Sequence, residues 1–360
     1  MDSSSPSSIP LSKKLIFTAV VIVATITCLL GIGEIACRVV IHFKHGVPGK
    51  SYGIYQGDKE LGATHRPNSY NSNSVLNNWG LRNTADVDPV KAAGSMRIYC
   101  SGGSTTFCYN LDTDDAWPSV LERRLRKTPG REHDQVLNAG QISFSTAHEF
   151  TLARRQIPQL KPDVVLLFAA VNEGLSAELL NMGEPGGLDR LYADKAWGVP
   201  PRNLDQARFW KRNSALVRLW DYKIKAFSAD KATAGYHDPS IVDRPLDHPS
   251  QHPYVMENLD KTLRAYIKFV RDNDATPVLI RFGDNGDEEW YFRFGLREWR
   301  ERAVKIAREE GVVICDAAAV FEKHPQRRDC FISSGVHVTT LGAEVLANEL
   351  EKTLSTLKVK

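Results

Sequence analysis

Ser104 is the residue whose setting most favours chemistry, because it follows Gly102 and Gly103 directly. Residues 98–100 are apolar and predict a short buried strand before the glycines. Open α/β sheets bind their ligands at the carboxyl ends of strands, and glycine lets a substrate approach the backbone closely. The pattern therefore favours a nucleophilic serine, with a Gly-Ser loop without chemistry as the alternative.

Three further polar segments lie at predicted strand ends or just before the last predicted helix: 138–146, 170–174 and 334–342. In a doubly wound sheet, such segments meet at one edge. Nucleophilic acyl transfer needs a hydroxyl, a base and hydrogen-bond donors for the oxyanion. Ser104, His337, and Asn172 with backbone N–H groups would supply all three.

Alternating strand and helix patterns occupy the chain from residue 97 onward. Five apolar runs predict strands, at Arg97–Cys100, Gln135–Leu137, Asp163–Ala170, Thr276–Phe282 and Gly311–Cys315. Helical spacing occurs at Thr151–Leu160, Met256–Val270, Trp290–Glu310 and Leu341–Leu357, and Asp114 or Asp115 is placed to cap a helix containing Trp117 and Leu125. This order predicts a three-layer α/β domain, with a five-stranded parallel sheet in flavodoxin-like order.

The amino-terminal region predicts a tethered protein. We expect a disordered tail at 1–14, a transmembrane anchor at 15–43, an extended lead-in at 44–95 that lies against the main domain, and the α/β domain at 96–358. A cleaved signal peptide is the competing interpretation, but no clean small-x-small cleavage site follows the apolar stretch, because Gly31-Ile-Gly33 leads directly into Glu34. Glu34 and Arg38 are spaced to pair. Basic residues on both sides leave the membrane orientation open.

The insert at 176–253 interrupts the alternation and is rich in aromatic residues, including Trp197, Phe209, Trp210 and Trp220. These residues suit a sugar or acyl surface, or the small core that an insert of this length needs. The net charge of +3 and the absence of a basic block argue against nucleic acid as a partner. The six cysteines lack metal-ligand spacing, so we expect no metal and no cofactor. Buried free thiols are favoured over a Cys315–Cys330 disulfide.

Several short motifs occur together in one order: Asn77–Arg82, Gly102–Thr106, Asp115–Glu122, Asn138–Gly140, Lys161–Val165, Gly335–His337 and Leu341-Gly342. With these motifs, the chain resembles the SGNH (GDSL-like) hydrolases, in particular a membrane-anchored bacterial group. The resemblance runs from about residue 55 to 350, apart from the insert.

The resemblance implies a role for each matching residue. Ser104 would be the nucleophile and His337 the base. The oxyanion hole would consist of the backbone N–H groups of Ser104 and Ser143 and the side-chain amide of Asn172. Cys108, close to Ser104, is expected to be structural, because a reactive thiol needs an electropositive setting.

The chain also departs from the family pattern. Ser143 stands at a usual glycine, and Glu173 at the aspartate of a Gly-x-Asn-Asp block that here begins with Ala170. Ser334 replaces the usual acid three residues before the histidine. Three outcomes are open: His337 works as a dyad base held by a backbone carbonyl, Asp329 or another carboxylate substitutes, or the site is weak or inactive.

The functional expectation is a membrane-anchored serine esterase that hydrolyses an O-acyl ester, such as an O-acetyl ester on a cell-envelope or exported polysaccharide. Its soluble domain would lie outside the cytoplasm. An O-acyltransferase that uses the same serine is the nearest variant. A catalytically silent glycan-binding or assembly protein is the alternative from another class.

For a dyad, we expect Ser334→Ala to lower esterase activity by no more than about tenfold, which is about 1.4 kcal/mol in the barrier. A serine hydroxyl is neutral and cannot stabilise an imidazolium as a carboxylate does. Ser334→Asp should raise activity, and His337→Ala should abolish turnover in either background. Hydrolysis of p-nitrophenyl acetate measures all three variants. A loss in Ser334→Ala equal to that in His337→Ala, with the fold intact, would contradict the dyad.

Overall fold

A five-stranded parallel sheet forms the centre of this computed structural model, which describes residues 10–45, 47, 49–58, 60–71, 73–173, 214–217, 253–286, 296–332 and 335–357. The strands are β1 Ser51–Tyr52, β2 Tyr55–Asp58, β3 Gly62–His65, β4 Ser69–Tyr70, β5 Val75–Leu76, β6 Arg97–Gly102, β7 Gln135–Asn138, β8 Val164–Phe168, β9 Thr276–Ile280 and β10 Val313–Cys315. The helices are α1 Leu11–His45, α2 Ser104–Phe107, α3 Trp117–Leu125, α4 Thr146–Leu160, α5 Pro253–Asp272, α6 Leu296–Glu309, α7 Ala317–Lys323 and α8 Thr340–Ser355.

The order of the central sheet is β10-β9-β8-β6-β7, and all neighbouring strands are parallel. Counted within this sheet alone, the order is 2-1-3-4-5, which is the flavodoxin-like order. The strands beginning at residues 97, 163 and 276 were predicted to be parallel neighbours. This prediction is confirmed, because β8 pairs with β6 on one side and with β9 on the other.

Helices cover both faces of the sheet, and β8 shows why. Val164 and Leu166 belong to the core that α3 and α8 close, whereas Val165 and Leu167 belong to the core under α4, α5 and α6. Side chains alternate across a strand, so a strand covered on both faces must be apolar at every position. All five residues of β8 are buried.

The helix starts differ from the predicted ones. Helix α3 begins at Trp117 after Ala116, and neither Asp114 nor Asp115 caps it, since both lie in a 3-10 turn at Thr113–Asp115. Helix α4 begins at Thr146 rather than Thr151, because Ser145 and His148 form a reciprocal capping box. Residues 290–295 of the predicted helix 290–310 lie outside the described residues. Helix α7 was not predicted.

The lead-in covers the open edge of the sheet. Arg82 N–H donates to the Asn138 carbonyl at 2.8 Å. The Asn83 side chain donates to the Val136 carbonyl at 2.9 Å and accepts from Asn138 N–H at 3.0 Å. These contacts pair outward-facing backbone groups of the edge strand β7, which removes a template for association with another chain. Away from this edge, Arg97 N–H and the Lys91 ammonium both bond to the Asp163 carboxylate.

The described residues group into two units, one of which contains α1 and residues 214–217. Helix α1 begins at Leu11, so the predicted tail at 1–14 is too long; residues 11–14 include no helix breaker and continue the helix toward Pro10. Residues Leu11–Val40 are long and apolar enough to cross a membrane, and most of their large apolar side chains are exposed. A single-pass anchor fits this helix, as a signal sequence also would.

Glu34 of α1 is an acidic residue near the carboxyl end of the apolar stretch. Its carboxylate pairs with Arg38 at 2.7 Å, which confirms the predicted i,i+4 pair. It also accepts hydrogen bonds from the Ser214 hydroxyl at 2.7 Å, Ala215 N–H at 2.8 Å and Leu216 N–H at 3.0 Å. A charge near a membrane segment is expensive unless it is paired and hydrogen-bonded, and this carboxylate is both.

Two valines that are register partners in β9 and β10 allow a matched test of the sheet core. Val278 is completely buried, whereas Val313 is 38% exposed on the edge strand. We expect Val278→Ala to lower the free energy of unfolding by about 2 kcal/mol, because two methyl groups leave a packed core. Val313→Ala should cost less than about 1 kcal/mol. Denaturant unfolding measures both, and equal losses would contradict the central position of β9.

Candidate active site

The Gly102-Gly103 turn brings Ser104, the predicted nucleophile, to the carboxyl end of β6. Ser104 is the first residue of α2 and is 9% exposed. A Cβ atom at Gly103 would lie 2.6 Å from the Asn172 side-chain nitrogen and 3.2 Å from the Phe144 carbonyl oxygen. Only glycine therefore permits this approach, and it lets Asn172 lie directly beside the serine turn.

Ser104 and His337 meet although 233 residues separate them. The His337 Nε2 lies 2.8 Å from the Ser104 Oγ. In the tautomer with the proton on Nδ1, Nε2 accepts the serine proton, which is the arrangement that a general base needs. Burial lowers the pKa of His337 to about 4, so its imidazole is neutral at pH 7.

Contacts from two loops hold the histidine segment. Asn110 donates its amide to the Val338 carbonyl at 2.9 Å, and Asn285 N–H donates to the Gly335 carbonyl at 3.1 Å. The Tyr109 ring meets the His337 ring edge-on, with centroids 4.8 Å apart. A bonded segment on each side of the imidazole restricts its movement, and a base must lie within hydrogen-bond reach of its proton.

The predicted oxyanion donors lie on two facing loops. The Asn172 amide donates to the Phe144 carbonyl at 2.8 Å. A side-chain amide has two N–H donors, so this bond leaves a second one for a ligand. Ser143 precedes Phe144 and has a φ of 65°, while Gln141 N–H donates to the Gly102 carbonyl at 3.0 Å. These contacts bring the Ser143 loop and Asn172 to the same edge as Ser104.

Two residues were considered from the sequence as neighbours that could orient His337, Ser334 and Asp329. Ser334 lies outside the described residues. Asp329, the predicted substitute acid, is exposed, and its backbone carbonyl accepts the Thr339 hydroxyl at 2.6 Å. The aromatic residues of the insert, for which a ligand surface or a small core was predicted, also lie outside the described residues.

The cysteines of the α/β domain are structural. Cys108 is buried, its thiol donates to the Thr105 carbonyl at 3.3 Å, and burial raises its pKa to about 11. A thiol in this state is a poor nucleophile at neutral pH. Cys315 and Cys330 are buried and free, as favoured from the sequence. In the part of the chain that the structure describes, no cluster of His, Cys, Asp or Glu could hold a metal ion.

Several supporting residues were not predicted. The buried Arg82 donates to the carbonyls of Phe107, Cys108 and Leu111 and thereby fixes the loop that carries Tyr109 and Asn110. In the sequence, Arg82 was noted only as the last residue of the Asn77–Arg82 motif that resembles the SGNH hydrolases.

The loop after β9 also contains supporting residues that were not predicted from the sequence. Asp284 is buried and pairs with Arg300 at 3.1 Å and with Arg327, so it supports Asn285 beside the histidine segment. A polar Asp-Asn-Gly at the end of a predicted strand was a readable signal for this loop. The contacts of Tyr109 and Asn110 with the histidine segment had no local signal.

Comparison with known proteins identifies the fold family. The sequence model described as the GDSL-like lipase/acylhydrolase family matches residues 100–345. No curated protein matches the chain. Among solved structures, a lipase/acylhydrolase from Enterococcus faecalis is 14% identical with a TM-score of 0.45, and the match covers 74% of this chain and 98% of that one.

An acetylxylan esterase from Geobacillus stearothermophilus is also 14% identical with a TM-score of 0.45, and its match covers 76% of this chain and 99% of that one. At this level of likeness, no substrate follows from either structure. The family match is different, because it spans more than half of the chain and includes the serine turn, the Asn172 loop and His337. The chain therefore belongs to the GDSL-like lipase/acylhydrolase (SGNH) family of esterase-type hydrolases, which confirms the resemblance.

Proposed function

We propose that this protein is a membrane-anchored serine esterase in which Ser104 and His337 form a catalytic dyad. The observation that carries the proposal is the 2.8 Å distance between Ser104 Oγ and His337 Nε2. A hydroxyl beside a neutral imidazole is the pair that acyl transfer requires. This distance also favours an active enzyme over the catalytically silent alternative.

In the acylation step, Ser104 Oγ attacks the carbonyl carbon of the ester while its proton passes to His337 Nε2. The carbonyl oxygen becomes an oxyanion, which the N–H groups of Ser104 and Ser143 and the Asn172 amide stabilise. Each such donor contributes a factor of about 10²–10³ in rate. The bond to the leaving alcohol then breaks, and His337 returns the proton to the alcohol oxygen.

Deacylation repeats the sequence with water. His337 takes a proton from water, the hydroxide oxygen attacks the acyl carbon, and the bond to Ser104 breaks as the serine recovers its proton. A sugar hydroxyl in place of water would give the acyltransferase variant. The proposed substrate is an O-acetyl ester on a cell-envelope or exported polysaccharide, with the catalytic domain outside the cytoplasm. This choice of substrate is supported by the apolar helix α1, which would hold the enzyme at the membrane, and by the aromatic sequence of the insert.

Ser104→Ala should abolish hydrolysis of p-nitrophenyl acetate and labelling by a fluorophosphonate, because both need the serine oxygen as nucleophile. Ser119→Ala is the matched control, since this half-buried serine only donates to the Thr113 carbonyl at 2.7 Å. The full-length protein in detergent is assayed with and without an acetylated glycan acceptor. Transfer to the acceptor would favour the acyltransferase variant. Equal labelling of Ser104→Ala and wild type would exclude the proposed nucleophile.

The activity should persist in mild acid. The neutral form of His337 is the base, and burial lowers its pKa from 6.5 to about 4. We therefore expect kcat/KM to stay constant as the pH falls to about 5 and then to decline with an apparent pKa near 4. Between pH 6.5 and 4 the imidazole is protonated in the unfolded chain but neutral in the folded chain. The contribution of His337 to the free energy of unfolding is therefore complete above about pH 6.5 and is lost as the pH falls toward 4.

The pH profile of kcat/KM, recorded together with circular dichroism to follow folding, measures this decline. An acid limb at pH 6 to 7 with the fold intact would contradict it. Such a limb would mean that a neighbouring negative charge stabilises the imidazolium of His337, as in a complete triad.

A further inference from the structure

Two residues near the candidate oxyanion hole have a backbone conformation that favours glycine. Ser143 has a φ of 65° and Ala170 a φ of 66°. A left-handed conformation costs a residue with a side chain about 1–2 kcal/mol. Such residues persist where the surrounding structure holds them in place. Some set of contacts must therefore fix the two loops that contain Ser143 and Ala170.

Three hydrogen bonds join these loops. Thr146 N–H donates to the Glu173 carboxylate at 2.8 Å, and the Thr146 hydroxyl accepts from Ala170 N–H at 3.1 Å. The third is the bond from the Asn172 amide to the Phe144 carbonyl, at 2.8 Å. The segment 143–146, which begins helix α4, is thereby fastened to the segment 170–173, which follows strand β8.

Glu173 is suited to this position by burial and by charge. It is 4% exposed, and its Oε2 has no hydrogen-bond partner among the described residues. Its Oε1 lies at the amino-terminal end of α4, where unpaired N–H groups favour a negative charge. The buried Glu149 lies nearby. Burial and the charge of Glu173 hold the pKa of Glu149 well above its usual range. Burial also raises the pKa of Glu173, but the hydrogen bonds from Thr146 oppose this shift, so Glu149 is the member of the pair that is protonated more readily.

We propose that Glu173 is a positioning residue for the oxyanion hole. By holding the start of α4 against the end of β8, it places the Ser143 N–H group and the Asn172 amide on one side of Ser104. It also allows residues other than glycine at 143 and 170. This inference rests on the proposed esterase function, because it assigns Glu173 a part in that same site.

Glu173→Ala should lower kcat for p-nitrophenyl acetate by about 10²-fold, the effect of losing one oxyanion donor, and change KM by less than about twofold. Glu173→Gln should stay within about fivefold of wild type, since its amide oxygen still accepts from Thr146 N–H. The matched control is Glu122→Ala. The Glu122 carboxylate also accepts a backbone N–H, that of Val136, at 2.8 Å, but it lies toward the start of β7. Its kcat should equal that of wild type.

Thr146→Val leaves Glu173 in place and keeps the test decisive if Glu173→Ala folds poorly, and Ser143→Gly adds a rescue test where Glu173→Ala folds. Thr146→Val removes only the hydroxyl that holds Ala170 and should lower kcat by about tenfold. Ser143→Gly should recover about tenfold of the activity lost in Glu173→Ala, because glycine adopts the left-handed conformation without strain. An unchanged kcat in Thr146→Val, together with an unchanged kcat in Glu173→Ala where that variant folds, would overturn the inference. Equal losses in Glu173→Ala and Glu173→Gln would also overturn it.

Amide hydrogen exchange of the peptide 143–147 in the full-length protein needs no turnover and separates the two proposals. We expect faster exchange in Glu173→Ala than in wild type and Glu122→Ala. An inactive wild type with this faster exchange would refute the esterase function and support the link between the loops. An active wild type, with exchange and kcat unchanged in Glu173→Ala, would refute the positioning role and leave the esterase function standing.

Discussion

The close backbone approach at Gly103 is the constraint on which the candidate site depends. Strands β6 and β8 pair in register, with Gly102 opposite Phe168, so the turns that follow them leave the sheet side by side. The Asn172 amide then occupies space that any other residue at 103 would fill with its Cβ. Parallel pairing thus fixes the position of Ser104 relative to Asn172, the proposed oxyanion donor, without a contribution from more distant segments.

The histidine enters this arrangement from the far end of the sequence, and its position depends on loop contacts rather than on pairing within the central sheet. The isolated bridge between Phe331 and Val338 shapes its loop. Asn110 then connects that loop to the segment that follows α2, and Asn285 connects it to the loop after β9. Since a proton transfer requires close hydrogen-bond geometry, both contacts bear on the chemistry, the first through the Asn110 side chain and the second through the Asn285 backbone N–H group.

The fold was predictable from the sequence because its strands are buried on both faces. In a chain that alternates strands and helices, a short apolar run such as Val164–Phe168 fits a strand of a covered parallel sheet and little else. Helix starts were less predictable, since they depend on which polar residue captures the first N–H groups. Ser145 and His148 perform this capping together for α4, whereas Asp114 does not for α3. The contacts of Asn110 and Asn285 were beyond reach, because they join segments distant in sequence through backbone carbonyls that carry no residue identity.

The departures from the family pattern at Ser143, Ala170 and Glu173 are best understood as one change rather than three. Each non-glycine residue in a left-handed conformation costs about 1–2 kcal/mol, a substantial part of the 5–15 kcal/mol that stabilises a typical domain. A buried carboxylate would add its own desolvation cost if it stood alone. Here the carboxylate bonds to Thr146 N–H, and Thr146 in turn bonds to Ala170 N–H. The strain in the two loops and the burial of the charge are therefore offset by the same contacts, which explains how a site without the usual glycines keeps a defined geometry.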